Sequence, residues 1–210
     1  MLQLLTTPLA ATLLVATPAP PLPVAVEASA TPPSPAVALM RSPELWLGET
    51  RTLDVQFCRE VEDWNPFLTR FDAEAYRCVE AWDDQQLLWL EEEYDAPRLR
   101  FFARRGTVTD AIFGGARPHG RYQVDLVVRE MHAGQAWVEV TSARWTEEQT
   151  PEGTILHVIR ALDMIEREGW ALASSELERA LRPNLPAHVR TELESIKETV
   201  DETRAALRGD

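Results

Sequence analysis

Residues 121–145 read RYQVDLVVREMHAGQAWVEVTSARW, and this stretch decides the fold class. Tyr122, Val124, Leu126 and Val128 alternate along it, and Val138 and Val140 repeat the alternation after a break at His132-Ala133-Gly134-Gln135. A period of two marks a half-buried strand, and a short Gly-containing break between two such runs marks a hairpin turn. The stretch is therefore read as a long antiparallel pair.

Toward the N-terminus, Leu53, Val55 and Phe57 alternate with Asp54, Gln56 and Cys58, which predicts another strand ending near Val61. Asn65-Pro66 breaks the chain. Phe71, Ala75, Cys78, Val79 and Trp82 then recur at helical spacing behind Asp72 as N-cap, predicting a helix. Gln86–Glu92 and Arg98–Arg105 read as strands joined across Tyr94-Asp95-Ala96-Pro97, and Thr107–Phe113 as a short strand ahead of Gly114-Gly115.

Toward the C-terminus, Thr150-Pro151 opens a helix whose buried face is Ile155, Ile159, Leu162 and Ile165, with Gly169 as its stop. Trp170–Ala173 reads as a short strand, and Ser175 with Glu178 as a capping box. Pro186 opens a last helix whose seam is Val189, Leu193, Ile196, Val200, Thr203 and Leu207. Under three heptads, it is expected to fold back on the domain, the alternative being a weak homodimer through 186–207. The fold class is α+β: an antiparallel sheet of about four to six strands with helices packed on one face, plus a C-terminal helix.

The 210 residues carry 34 acids against 21 Lys and Arg, a formal charge of −13, and 45% are hydrophobic. That composition is globular, and the acidic balance argues against nucleic acid, whose binding needs a basic surface. Met1 to Ala16 is an uncharged apolar run, too short to span a membrane, followed by Ala28-Ser29-Ala30, which has the form of a secretory cleavage site. The expected organisation is a signal peptide over 1–30, a Pro-rich linker over 31–43, an α+β domain over 44–183 and the terminal helix over 184–210. In an exported chain the two cysteines, Cys58 and Cys78, are expected to form a disulfide. The alternative is a pair of thiols in a reducing compartment.

No phosphate-binding glycine loop, zinc-helix motif, calcium loop or nucleophile elbow occurs, and no cofactor or metal is expected. One charge asymmetry stands out. Residues 72–95 hold nine acids against Arg77, while 97–121 hold six arginines against Asp110. Arg100, Arg104, Arg117 and Arg121 with His119, around the glycines of 114–120, form the candidate ligand site, since the guanidinium fork suits carboxylate or phosphate. The competing reading pairs these arginines with the neighbouring acids. Trp137 and Trp145 share a strand parity, which makes them a candidate aromatic partner face unless a helix covers them.

The chain is thus expected to be a small exported, non-enzymatic binding or accessory protein of the bacterial cell envelope, contacting an anionic or protein partner. The alternatives are a cytoplasmic subunit of a larger assembly, using its N-terminal arm and last helix, and an enzyme built on His119 or His132 with a carboxylate.

Overall fold

The computed structural model describes residues 34–64 and 69–209. The expected signal peptide, 1–30, lies outside the described residues. Five strands form a closed barrel in the order β1-β2-β3-β5-β4, with β4 returning to β1: β1 Thr50–Val61, β2 Tyr76–Asp83, β3 Leu99–Arg104, β4 Arg121–His132 and β5 Gln135–Trp145. Neighbouring pairs are antiparallel except β3 and β5, which run parallel through Phe102–Glu139 and Ala103–Val140.

The expected α+β class therefore holds, but the simple antiparallel sheet does not. The physical reason lies in β1. Its first half pairs with β4 through Thr50–Gln56 and its second half with β2 through Val55–Val61, with a bulge at Cys58 between Phe57 and Arg59. Further register shifts interrupt the β4–β5 pair. Such bulges bend strands and increase their twist, so the sheet curls until it closes. Leu53, Val55, Phe57, Val79, Ala81, Leu99, Phe101, Val124, Leu126, Val138 and Val140 fill the interior. The β4–β5 turn is the one expected: Ala133 and Gly134 both take positive φ, 49° and 76°, as a type I′ turn requires.

A helix, α1, spans Pro35–Arg41 and sends Ala36 and Leu39 into the same core. Residues 35–41 are thus part of the fold and not linker: Ser34 caps them through Val37 N–H, and Pro35 occupies the first turn, where its missing N–H costs nothing. The short α2, Glu91–Asp95, follows β2, and α3, Val108–Gly114, joins β3 to β4. Thr107 caps α3 through Asp110 N–H, and Phe113 packs on Phe57, Phe101 and Tyr122.

Three helices complete the fold: α4 Glu152–Glu166, α5 Trp170–Ala180 and α6 Ala187–Arg208. Ile155 and Val158 of α4, Ala180 of α5, and Val189 and Leu193 of α6 close over Trp82, Leu88 and Trp89 on the outside of the barrel. The last helix does fold back on the domain. Among the described residues, no helix is long and apolar enough to cross a membrane.

Four local expectations are corrected. Residues 76–83 are strand, not helix: six of the eight residues are buried because β2 is covered on both faces, which erases the alternation. The apolar run Leu87–Leu90, expected as strand, forms turns leading into α2, and its Leu87, Leu88 and Trp89 pack beneath the helices. Thr107 starts a helix where a strand is expected. The helix expected to stop at Gly169 ends at its C-cap Arg167, with Glu168 in the left-handed conformation; Gly169 caps the next helix, so 170–180 is helical and Ser175 and Glu178 lie inside it.

Candidate functional site

The loop that links α3 to β4 carries Arg117 and His119 and leads into Arg121 at the start of β4, and it is stapled to β1. His119 N–H donates to the Phe57 carbonyl at 2.9 Å, and Phe57 N–H donates to the Gly120 carbonyl at 2.8 Å. Gln56 Nε2 bridges the carbonyls of His119 and Thr150 at 3.4 and 3.3 Å. The loop therefore presents a fixed shape. It holds His119 at φ 68°, a left-handed conformation that disfavours a side chain with a Cβ.

Half of the arginine island, Arg98, Arg100 and Arg121, is already paired with carboxylates. Arg121, its side chain 9% exposed, lies 2.7 and 2.9 Å from the Asp84 carboxylate and 3.2 Å from both Asp54 and Glu148. These carboxylates hold its guanidinium above the ordinary range against the opposing effect of burial. Arg100 and Arg59 flank Glu80 at 2.5 and 2.7 Å. Together they hold the Glu80 carboxyl below its usual value, against the opposing effect of burial. Arg104 and Arg117 are exposed, and no carboxylate of the described residues pairs with either. The expected ligand cluster is thus divided, with Arg100 and Arg121 consumed internally.

His119 itself is 7% exposed and lies against Trp82, with ring centroids 5.1 Å apart and planes 16° from parallel. Its Nε2 is 3.5 Å from the Tyr94 hydroxyl, and Nδ1 has no hydrogen-bond partner among the described residues. Burial pushes the imidazole pKa down, with Glu152 opposing. The other histidines lie elsewhere. His157 bonds Glu176 at 2.8 Å between two helices, His188 stands 3.6 Å from Asp84, and His132 ends β4. Among the described residues, no group of three or more His, Cys, Asp and Glu side chains is arranged to hold a metal ion.

The outer face of β2 and β3 is filled from within. Phe71, from the β1–β2 connection, stacks on Phe102 at 4.5 Å and on Trp137 at 6.0 Å, beside Cys78 and Trp64. Trp137 is thus covered, by this loop and not by a helix. Trp145 does not share that face. Leu126 pairs with Val140 but Asp125 with Ser142, so Thr141 is the extra residue of a bulge and reverses the parity of residues 142–145. Trp145 consequently stands opposite Tyr122 and is 54% exposed.

The expected disulfide is absent; Cys58 and Cys78 are both unbonded. The β1–β2 register explains it. Cys78 pairs with Val61, while Cys58 sits in the bulge three residues earlier. Cys58 belongs to the layer beneath the helices and Cys78 to the Phe71 cluster. Burial pushes the Cys78 thiol up to about 12 and raises that of Cys58, so neither is poised as a nucleophile or metal ligand.

No family model, curated protein or solved structure matches this chain.

The surface that remains open lies between the start of α5 and the end of α6, a place marked in the sequence by nothing more than a leucine on a seam. Two adjoining concavities of about 340 and 290 Å³ share Arg204 and Arg208. Ser174, Glu178, Lys197 and Asp201 line the first, and Glu168, Trp170, Leu172 and Leu207 the second. Lys197 is satisfied by Asp201 at 2.6 Å and Glu178 at 3.7 Å. Leu172 and Leu207 are 62% and 69% exposed. The reason is length. At about 1.5 Å per residue, the 11 residues of α5 reach half as far as the 22 of α6. The final turn of α6 therefore carries its seam leucine past the cover.

Proposed function

We propose that this chain is an exported, non-enzymatic binding or accessory module of the bacterial cell envelope, engaging an anionic or protein partner. The observation that carries the binding reading is the pairing of two exposed leucines, Leu172 and Leu207, with Arg204 and Arg208 on one groove. Apolar side chains exposed together and rimmed by charge mark contact surfaces. Arg117, displayed on a stapled loop, offers a second point of contact for an anion. Export rests on the uncharged run Met1–Ala16 and on Ala28-Ser29-Ala30 alone, since the unbonded cysteines lend it no support.

The test is made on the protein recovered from the cells that produce it. A photo-reactive residue replaces Leu207, and a control replaces the exposed Thr199 on the same helix. The expected result is an intact mass lacking residues 1–30, with crosslinks from position 207 and not from 199. A full-length mass with crosslinks at 207 would move the module to a cytoplasmic assembly. A full-length mass without them would refute the reading.

A further inference from the structure

We infer that the groove between the start of α5 and the end of α6 binds a second copy of this chain in a two-fold dimer. This rests on the binding function proposed for that surface and names its occupant.

Charge singles out the occupant. With Lys197 satisfied and Arg204 acting on Asp201 of its own helix, the rim retains Arg208 on one side and Glu168 on the other, neither of them with an opposite charge at ion-pair distance among the described residues. A partner of single sign would meet repulsion from one or the other. A two-fold axis through the apolar centre brings the same patch round in reverse, so Arg208 of each copy faces Glu168 of its mate and the leucines meet between them. The rest of the chain resists self-approach, since it carries a net −13. Close contact between two copies therefore needs basic residues opposite acidic ones, as this rim supplies.

Two further observations converge on the same rim. Arg204 Nε is buried without an acceptor among the described residues, an unusual condition for a charged donor, and only its outer guanidinium nitrogens are left to face the groove. Glu168 is held at φ 58°, a left-handed backbone that disfavours a residue with a Cβ. The turn is fixed by Gly169 N–H donating to the Met164 carbonyl at 2.7 Å, which sets Glu168 beside the groove. The patch is small, so the dimer is expected to be weak and reversible.

Sedimentation equilibrium on the chain as recovered from cells, at concentrations up to about 1 mM, where even the weakest specific contact is populated, reads the association directly. The expected result is a reversible monomer–dimer equilibrium. Leu207→Asp and Arg208→Glu each weaken it by tenfold or more. Arg208→Glu combined with Glu168→Arg restores it, because the swap recreates both pairs across the axis. Thr199→Asp, on the same helix but outside the groove, leaves it unchanged, and circular dichroism confirms that every variant is folded. A monomer at every concentration overturns the proposal, as does a dimer indifferent to Leu207→Asp and Arg208→Glu. A monomer whose position 207 crosslinks to another protein overturns self-pairing alone and leaves the binding reading standing.

Discussion

Replacing Arg121 with methionine removes one cation from among three carboxylates while keeping most of the apolar stem. Asp84 takes two hydrogen bonds from the guanidinium at 2.7 and 2.9 Å, and Asp54 and Glu148 each lie 3.2 Å away. Breaking a fully buried ion pair costs about 3–5 kcal/mol, because the surviving charge is left without a partner. Here the arginine side chain is 9% exposed, but Asp84, Asp54 and Glu148 are 20%, 34% and 57% exposed, so water takes over part of the lost interaction. The discounted loss is about 2–3 kcal/mol. In a domain of this size that lowers Tm by about 4–12 °C. Urea unfolding of Arg121→Met, Asp84→Asn and the double variant measures both the loss and the coupling. Asp84→Asn in the Arg121→Met background should recover about 1 kcal/mol, since it removes one of three mutually repelling charges. A loss below about 1 kcal/mol, or strictly additive effects, would show that the network behaves as exposed ion pairs do and would refute the reasoning.

Other substitutions probe the remaining contacts. Phe71→Ala should cost about 3–5 kcal/mol and shift tryptophan emission to the red, because Phe71 is fully buried and covers Trp137; unchanged emission would mean that the loop is not the cover. His119 titrates with a depressed pKa, so between that value and its ordinary 6.5 the unfolded chain binds a proton that the folded chain refuses. The stability it provides is full above 6.5 and is lost as the pH falls through that window, at up to about 1.4 kcal/mol per pH unit. His119→Asn, which tolerates the same φ, should flatten that slope, and an identical pH profile would contradict the burial. Cys78 should resist alkylation in the folded protein and react only on unfolding, and mild oxidation should leave the intact mass free of an internal two-hydrogen loss.

How far the residues themselves announced this fold depends on how many faces each element buries. β1, β4 and β5 show one apolar face over most of their length, and the alternation found them along with their turn. β2 is covered inside by the barrel core and outside by Phe71 and the helices, so its apolar residues lose the period of two and imitate a helix. Closure was equally hidden, since it arises from the bulges at Cys58 and Thr141, where one extra residue changes register without any compositional mark. The candidate site divided along the same line. Charge counting located the arginine island and the acids that neutralise it, but only the fold decides which arginine meets which acid. The α5–α6 groove depends on the unequal lengths of two helices, and reading 170–173 as a strand concealed it.

Ser34 sets a limit on how far the chain can be trimmed. Its hydroxyl donates to Asp83 Oδ2 at 2.5 Å, and its side chain caps the short helix that carries Ala36 and Leu39 into the barrel. Asp83 is buried, so its carboxylate depends on that donor and on Arg98, 3.7 Å away. Any peptidase that shortens the protein must stop before this serine. A cut one or two residues further in would uncork the barrel and strand an acid in its wall.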